Sequence, residues 1–138
     1  MSDPDRIRVL VVDDEEDFAT AVAERLMRRG FDAAPAFSAR AALALLEQLP
    51  ADVVVLDLKM PGMDGLTALR EIRKLHPDVQ VIVLTGHGTV ASGVAGMRGG
   101  AADFLQKPVT IEVLCTTIEA AAERSRLSRA APEQEGEE

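Results

Sequence analysis

Unbroken apolar runs alternate along this chain with stretches in which apolar residues recur every three or four positions. The first run, IRVLVV (Ile7 to Val12), is continuous and β-branched, as a strand buried on both faces must be. Helix signals follow: Glu15, Glu16 and Asp17 suit the positive end of a helix dipole, Phe18, Val22 and Leu26 recur every four residues, and Gly30 closes the segment. Phe31 to Pro35 reads as a weaker strand, and Ser38 is placed to cap a helix carrying Leu43 and Leu46 that Pro50 ends. VVVLDL (Val53 to Leu58) is the clearest strand, with Asp57 near its end, and MPGMDG after it is a turn by composition. Leu66, Leu69 and Ile72 share one face of a helix from Leu66 to Leu75, HPD breaks the chain, and Val79 to Leu84 is a buried strand ending at Thr85.

The next helix, Thr89 to Arg98, is poor. Gly93 and Gly96 lie inside it and each costs about 1 kcal/mol against alanine. The span from Gly86 to Gly100 is therefore expected to be the softest part of the fold. Ala102 to Leu105 forms a short strand, and a long helix from Val109 to about Leu127 carries Ile111, Leu114, Cys115, Ile118 and Ala122 on one face. Five strands alternating with five helices predict an α/β fold, a five-stranded parallel sheet covered on both faces. The folded domain is expected over residues 1–127. Residues 128–138 are polar and acidic, and read as a disordered tail or the start of a linker.

In such sheets, ligands bind beyond the carboxyl ends of the strands. Four of these ends carry chemistry. Asp13 and Asp14 follow the first strand, Asp57 ends the third, Thr85 ends the fourth, and Lys107 follows the fifth. Three carboxylates in one crevice repel one another unless a cation intervenes. Hard oxygen donors favour Mg²⁺, which binds through one or two carboxylates and leaves room for a phosphoryl oxygen. With Lys107 as a second positive charge and Thr85 as a hydroxyl donor, the parts needed for phosphoryl transfer onto a nucleophilic Asp57 are present.

Composition narrows the classes. The chain of 138 residues fits one domain, and 47% hydrophobic and 28% charged residues are ordinary for a globular protein. A net charge of −8 argues against direct nucleic-acid binding and against a membrane-surface role. No apolar run approaches the roughly 18 residues that span a bilayer, and the N-terminus has no signal-peptide pattern, so a cytoplasmic location is expected. The single cysteine, Cys115, excludes an internal disulfide and reads as core.

VVDDEED, VVVLDLKMPGMDG, VIVLTGHG and GAADFLQKP, in that order and spacing, resemble the receiver domain of bacterial two-component response regulators over about Arg8 to Ala122. The resemblance implies a flavodoxin-like doubly wound sheet of order 2-1-3-4-5. It implies Asp57 as phosphoacceptor, with Mg²⁺, for which Mn²⁺ substitutes, held by Asp13, Asp14, Asp57 and the Lys59 backbone carbonyl. It implies Lys107 as the phosphoryl-contacting lysine behind a cis Lys107–Pro108 bond, Thr85 as switch hydroxyl and Phe104 as switch aromatic. Lys59 and His87 occupy the positions that tune phosphoryl lifetime. The implied donor is a sensor histidine kinase or a phosphotransfer protein. The output surface is the fourth helix, fifth strand and fifth helix, acting on an output protein, on a C-terminal effector, or through a homodimer formed on phosphorylation. GHGTV and DFLQKP resemble receivers of transcriptional activators. The domain would assist its own phosphorylation and dephosphorylation without being an enzyme.

Two other classes compete. A phosphatase of the haloacid dehalogenase type also uses an aspartyl phosphate and Mg²⁺, but Asp57-Leu58-Lys59 lacks the second acid of its nucleophile motif. A receiver-like module that is never phosphorylated would not need the full acidic and lysine set. Asp64 and His76 read as turn residues, and Glu15 and Glu16 as helix-dipole acids.

Overall fold

The computed structural model describes residues 5–60, 62–86 and 88–130. Strands and helices alternate as β1 (Arg8–Val12), α1 (Glu16–Arg28), β2 (Asp32–Ala36), α2 (Ala39–Gln48), β3 (Val53–Leu56), α3 (Gly65–Leu75), β4 (Gln80–Thr85), α4 (Val90–Arg98), β5 (Asp103–Gln106) and α5 (Ile111–Ala130). The strands pair in parallel in the order β2-β1-β3-β4-β5, the doubly wound flavodoxin-like arrangement.

The partition of side chains explains the unbroken apolar runs. Val9, Val11, Val53, Val55, Ile82 and Leu84 pack with Ala19, Ala23 and Leu26 of α1 and Leu114, Cys115 and Ile118 of α5. Leu10, Val12, Val54, Leu56, Val81 and Val83 pack on the other face with Ala42 and Leu46 of α2 and Ala68, Leu69 and Ile72 of α3. Strand side chains alternate between faces, so a sheet covered on both sides requires both halves of each strand to be apolar. Burial also pushes the Cys115 thiol up in pKa, as suits an inert core cysteine.

Local signals end the helices as their residue types dictate. Gly30, at φ 95°, follows α1; its N–H reaches Met27 O at 3.1 Å and the Phe31 N–H reaches Leu26 O at 3.1 Å, the paired bonds of a Schellman motif. Ser38 Oγ caps α2 by accepting from Ala41 N at 3.0 Å. Thr89 and Ser92 form a reciprocal capping box at the start of α4.

Boundaries differ from the sequence reading by one to three residues. β3 stops at Leu56 rather than Leu58 because the Lys59 N–H turns back onto Asp57 Oδ1 at 3.0 Å, which closes the ladder and leaves Asp57 just past the strand. α5 begins at Ile111 rather than Val109, where Thr110 Oγ1 accepts from Val113 N at 3.2 Å.

At its other end α5 does not stop at Leu127. Ser128, Arg129 and Ala130 are helical, which moves the expected tail boundary; residues 131–138 lie outside the described residues. The last turn is held by a buried acid. Asp52, 3% exposed, accepts from the Arg8 N–H at 2.9 Å, Arg126 Nη2 at 3.4 Å and Arg129 Nη1 at 2.6 Å. Arg129 also donates to Ala51 O at 2.7 Å, and Ser128 Oγ to Asp78 Oδ1 at 2.7 Å. Replacing Asp52 with alanine leaves the Arg8 N–H without its acceptor and removes the carboxylate partner of both guanidinium groups, which keep only their bonds to the Asp5, Arg6 and Ala51 carbonyls. The loss is expected to be about 3 kcal/mol. Urea unfolding reads this loss, and amide exchange at residues 126–130 should accelerate; unchanged stability would show that the clasp contributes nothing.

Candidate functional site

Register brings the strand ends together. Val12 of β1 stands opposite Leu56 of β3, so the next residues, Asp13 and Asp57, emerge side by side at one rim, tied by Asp57 N to Val12 O at 3.1 Å. Asp13 also organises the entry to α1 by accepting the Glu15 N–H at 3.0 Å. On the far side Lys107 N donates to Thr85 O at 2.9 Å, which sets the lysine beside the end of β4; the Lys107–Pro108 peptide is cis.

One carboxylate oxygen from each of Asp13, Asp14 and Asp57 lies within 4.8 Å of the others. Lys107 Nζ reaches Asp13 Oδ2 at 2.8 Å, Asp57 Oδ2 at 3.5 Å and Glu15 Oε1 at 3.7 Å. Asp14, Glu15, Asp57, Lys59, Met60, Gly86 and Lys107 line the crevice. Asp13 and Asp57 are 2% and 5% exposed, so two carboxylates are held away from water with one close ammonium between them.

The electrostatics follow. Burial pushes the Asp13 carboxyl above its ordinary value, against the hydrogen bonds from Lys107 and the Glu15 N–H, and the Asp57 charge pushes the same way. Burial works against the Lys107 ammonium too, but the hydrogen bond to Asp13 and the fields of Asp13, Asp57 and Glu15 outweigh it and hold the lysine above its ordinary value. The two upward shifts have different causes: burial dominates at Asp13, whereas at Lys107 the surrounding carboxylates outweigh burial and hold the proton in place. An all-carboxylate oxygen set with excess negative charge fits a small hard divalent cation.

The crevice therefore gathers Asp13, Asp14, Asp57, Lys59 and Lys107. Lys59 is exposed at its lip. Thr85 is buried at 1% exposure, one residue before Gly86. Phe104 lies elsewhere, opposite Val83 in β5 and half-buried against α4. Methyl groups built on Gly88, Gly93 and Gly96 would stand 3.0, 3.7 and 3.7 Å from its ring, so these glycines make room for the aromatic. His87 lies outside the described residues. Asp64 is the N-cap residue of α3 but makes no side-chain capping bond. His76, read as a turn residue, is the C-cap of α3 and is half-buried.

Three residues beside the site were not legible. Met60, 8% exposed, lines the crevice. Glu15, read as a dipole acid, reaches the lysine. Phe18, read only as part of an apolar helix face, presents its ring to Lys107 Nζ at 4.0 Å from the centroid. No spacing signal links residues so far apart in sequence.

Residues 9–119 match the family model of the response regulator receiver domain. The putative NtrX-like response regulator of Rickettsia bellii (strain RML369-C) is 38% identical over 125 residues, covering 89% of this chain and 26% of that protein. The C4-dicarboxylate transport transcriptional regulatory protein DctD of Rhizobium meliloti (strain 1021) is 39% identical over 119 residues, covering 86% of this chain and 26% of that protein. A CheY-like response regulator receiver domain protein from Methanospirillum hungatei JF-1 superposes with a TM-score of 0.84 at 26% identity, covering 89% of this chain and 98% of that one. The chain thus spans about a quarter of the length of these curated relatives.

Proposed function

Because this chain belongs to the response regulator receiver family, we propose that it is a switch in which Asp57 accepts a phosphoryl group from a phosphohistidine on a sensor kinase or phosphotransfer protein. The observation that carries the reading is the convergence of three carboxylates within 4.8 Å with the Lys107 ammonium 2.8 Å from Asp13 and 3.5 Å from Asp57. An Asp57 oxygen bonds to phosphorus as the bond from phosphorus to the donor nitrogen breaks. The electron pair of that bond goes to the imidazole, which takes up a proton. Lys107 faces the charge that gathers on the transferring oxygens. Asp13, Asp14, Asp57 and the Lys59 carbonyl would hold Mg²⁺ or Mn²⁺, which would neutralise charge on the phosphoryl oxygens.

After transfer, the new dianion draws the Thr85 hydroxyl, and Phe104 leaves its seat on the α4 glycines for the space vacated. The α4, β5 and α5 surface then controls an attached effector or a partner protein, or pairs with a second copy. Lys59 and His87 shield the phosphoryl group from water, and the same site returns the phosphate to water. Names among the relatives favour transcriptional output.

Incubation with acetyl phosphate and Mg²⁺ followed by intact-mass measurement tests the reading. One added phosphate is expected, abolished by chelator; no addition would end the reading.

Metal binding has a separate signature. Asp13 binds its proton more tightly folded than unfolded. Its contribution to stability is therefore complete below its ordinary pKa of 3.8 and is lost as pH rises through its raised folded value. At neutral pH the metal-free fold carries that burden, which a divalent ion relieves. Mg²⁺ at about 100 times its Kd should stabilise the protein by about 2.7 kcal/mol, raising Tm by about 10 °C. The gain should shrink toward pH 4 as Asp13 takes up its proton. A Tm indifferent to Mg²⁺ at neutral pH would contradict the assignment.

A further inference from the structure

We propose that Phe18 is a positioning residue for the phosphoryl-transfer site, holding the Lys107 ammonium through the face of its ring. The proposal rests on the reading of Lys107 as the group that meets the phosphoryl oxygens.

The geometry is specific. Lys107 Nζ stands 4.0 Å from the centroid of the Phe18 ring, well within the roughly 6 Å over which an aromatic face attracts a cation. The lysine side chain is only 17% exposed, so water screens this attraction little. Phe18 lies in the first turn of α1 and packs against the core beneath α1 and α5, which fixes the ring independently of the lysine. The lysine stem also passes a residue that has no side chain, Gly86, where a methyl group would lie 3.7 Å from Lys107 Cδ.

Among the described residues, the other partners of the ammonium are Asp13, Asp57 and Glu15. Asp13 and Asp57 belong to the acidic cluster, and Asp57 becomes an acyl phosphate in the reaction. A lysine held by those carboxylates alone would lose much of that hold once a divalent cation takes their oxygens and before a phosphoryl group arrives to replace it. The ring face takes no part in metal binding or transfer, and its attraction for the ammonium persists through both. Phe18 therefore keeps the cation in the crevice when the anions that tether it in the metal-free state are engaged elsewhere. An apolar residue without a π-face fills the same space without that attraction, which separates this role from core packing.

The test uses the whole chain with Phe18→Leu, Phe18→Tyr, Lys107→Ala and the double variant Phe18→Leu/Lys107→Ala, each first shown to unfold cooperatively. In metal-free protein, proton–carbon NMR should find the Lys107 ε-methylene protons shifted upfield by the ring current in wild type and Phe18→Tyr. In Phe18→Leu they should return to ordinary lysine positions. With saturating Mg²⁺, the maximal rate of phosphorylation by acetyl phosphate should fall about tenfold in Phe18→Leu, with donor half-saturation little changed, and recover to within about twofold in Phe18→Tyr. In the Lys107→Ala background, removing the ring should have no further effect. The proposal is overturned if the lysine protons show no ring shift, if Phe18→Leu reacts as fast as wild type, or if the two substitutions act independently. An unimpaired Lys107→Ala would instead remove the underlying reading of the lysine, and the proposal with it. A slow Lys107→Ala beside a normal Phe18→Leu removes only the role given to the ring.

Discussion

Asp57→Asn is expected to take up no phosphate from acetyl phosphate, a loss on the order of 10³-fold or more, because the amide cannot act as the nucleophile that forms an acyl phosphate. The substitution should leave the fold intact. The Asn oxygen can still accept the Lys59 N–H that Asp57 Oδ1 accepts at 3.0 Å, and the backbone bond from residue 57 to Val12 O is unaffected. The Asp57 charge is one of the causes that push Asp13 upward, so removing it eases a buried carboxylate. Metal-free Asp57→Asn should therefore melt no lower than wild type, which separates lost chemistry from lost structure. Phosphate uptake persisting at the wild-type rate would place the acceptor elsewhere.

Gly65→Ala should be the most damaging methyl group in the described part of the chain. A Cβ at Gly65 would lie 2.3 Å from both Leu58 Cα and Leu58 O and 2.6 Å from Leu58 C, and backbone cannot swing aside as a side-chain tip can. The close approach is held by Gly65 N donating to Leu58 O at 3.2 Å. Separating the two segments should cost about 3 kcal/mol or more, lowering Tm by about 10 °C. The damage should also reach the site, since Leu58 sits between Asp57 and Lys59; the variant should respond poorly to Mg²⁺ even where it remains folded. Gly62→Ala is the contrast. Gly62 has φ 85° but nothing within 4 Å of a built methyl, so only backbone strain of about 1 kcal/mol is expected. Urea unfolding of both variants reads the difference, and equal stabilities would refute the packing argument.

These two positions mark what the sequence discloses and what it does not. Strands such as IRVLVV and VVVLDL are readable because burial on two faces keeps their interiors apolar, with Arg8 at the start of one and Asp57 just past the end of the other. Asp13, Asp14, Asp57 and Lys107 are readable because a parallel sheet delivers all its carboxyl ends to one rim. Strand and helix ends drift by a residue or more because side-chain bonds decide them, such as the turn of Lys59 N onto Asp57. Contacts between residues far apart leave no periodic trace. The pairing of Asp52 with Arg126 and Arg129, the ring of Phe18 over Lys107, and the contact of Gly65 with Leu58 depend on how helices settle on the sheet. The last turn of α5 is hidden in the sequence for the same reason: its polar residues look like a tail without the buried acid that receives them.

Borohydride reduction of the phosphorylated wild-type protein, followed by peptide mapping, addresses the central claim most directly, because it converts an aspartyl phosphate to homoserine at the residue that carried it. Homoserine at position 57, in protein treated with both donor and Mg²⁺ and not in protein denied either, is the predicted result. Homoserine at another acid, or a phosphate that resists reduction altogether, would contradict it.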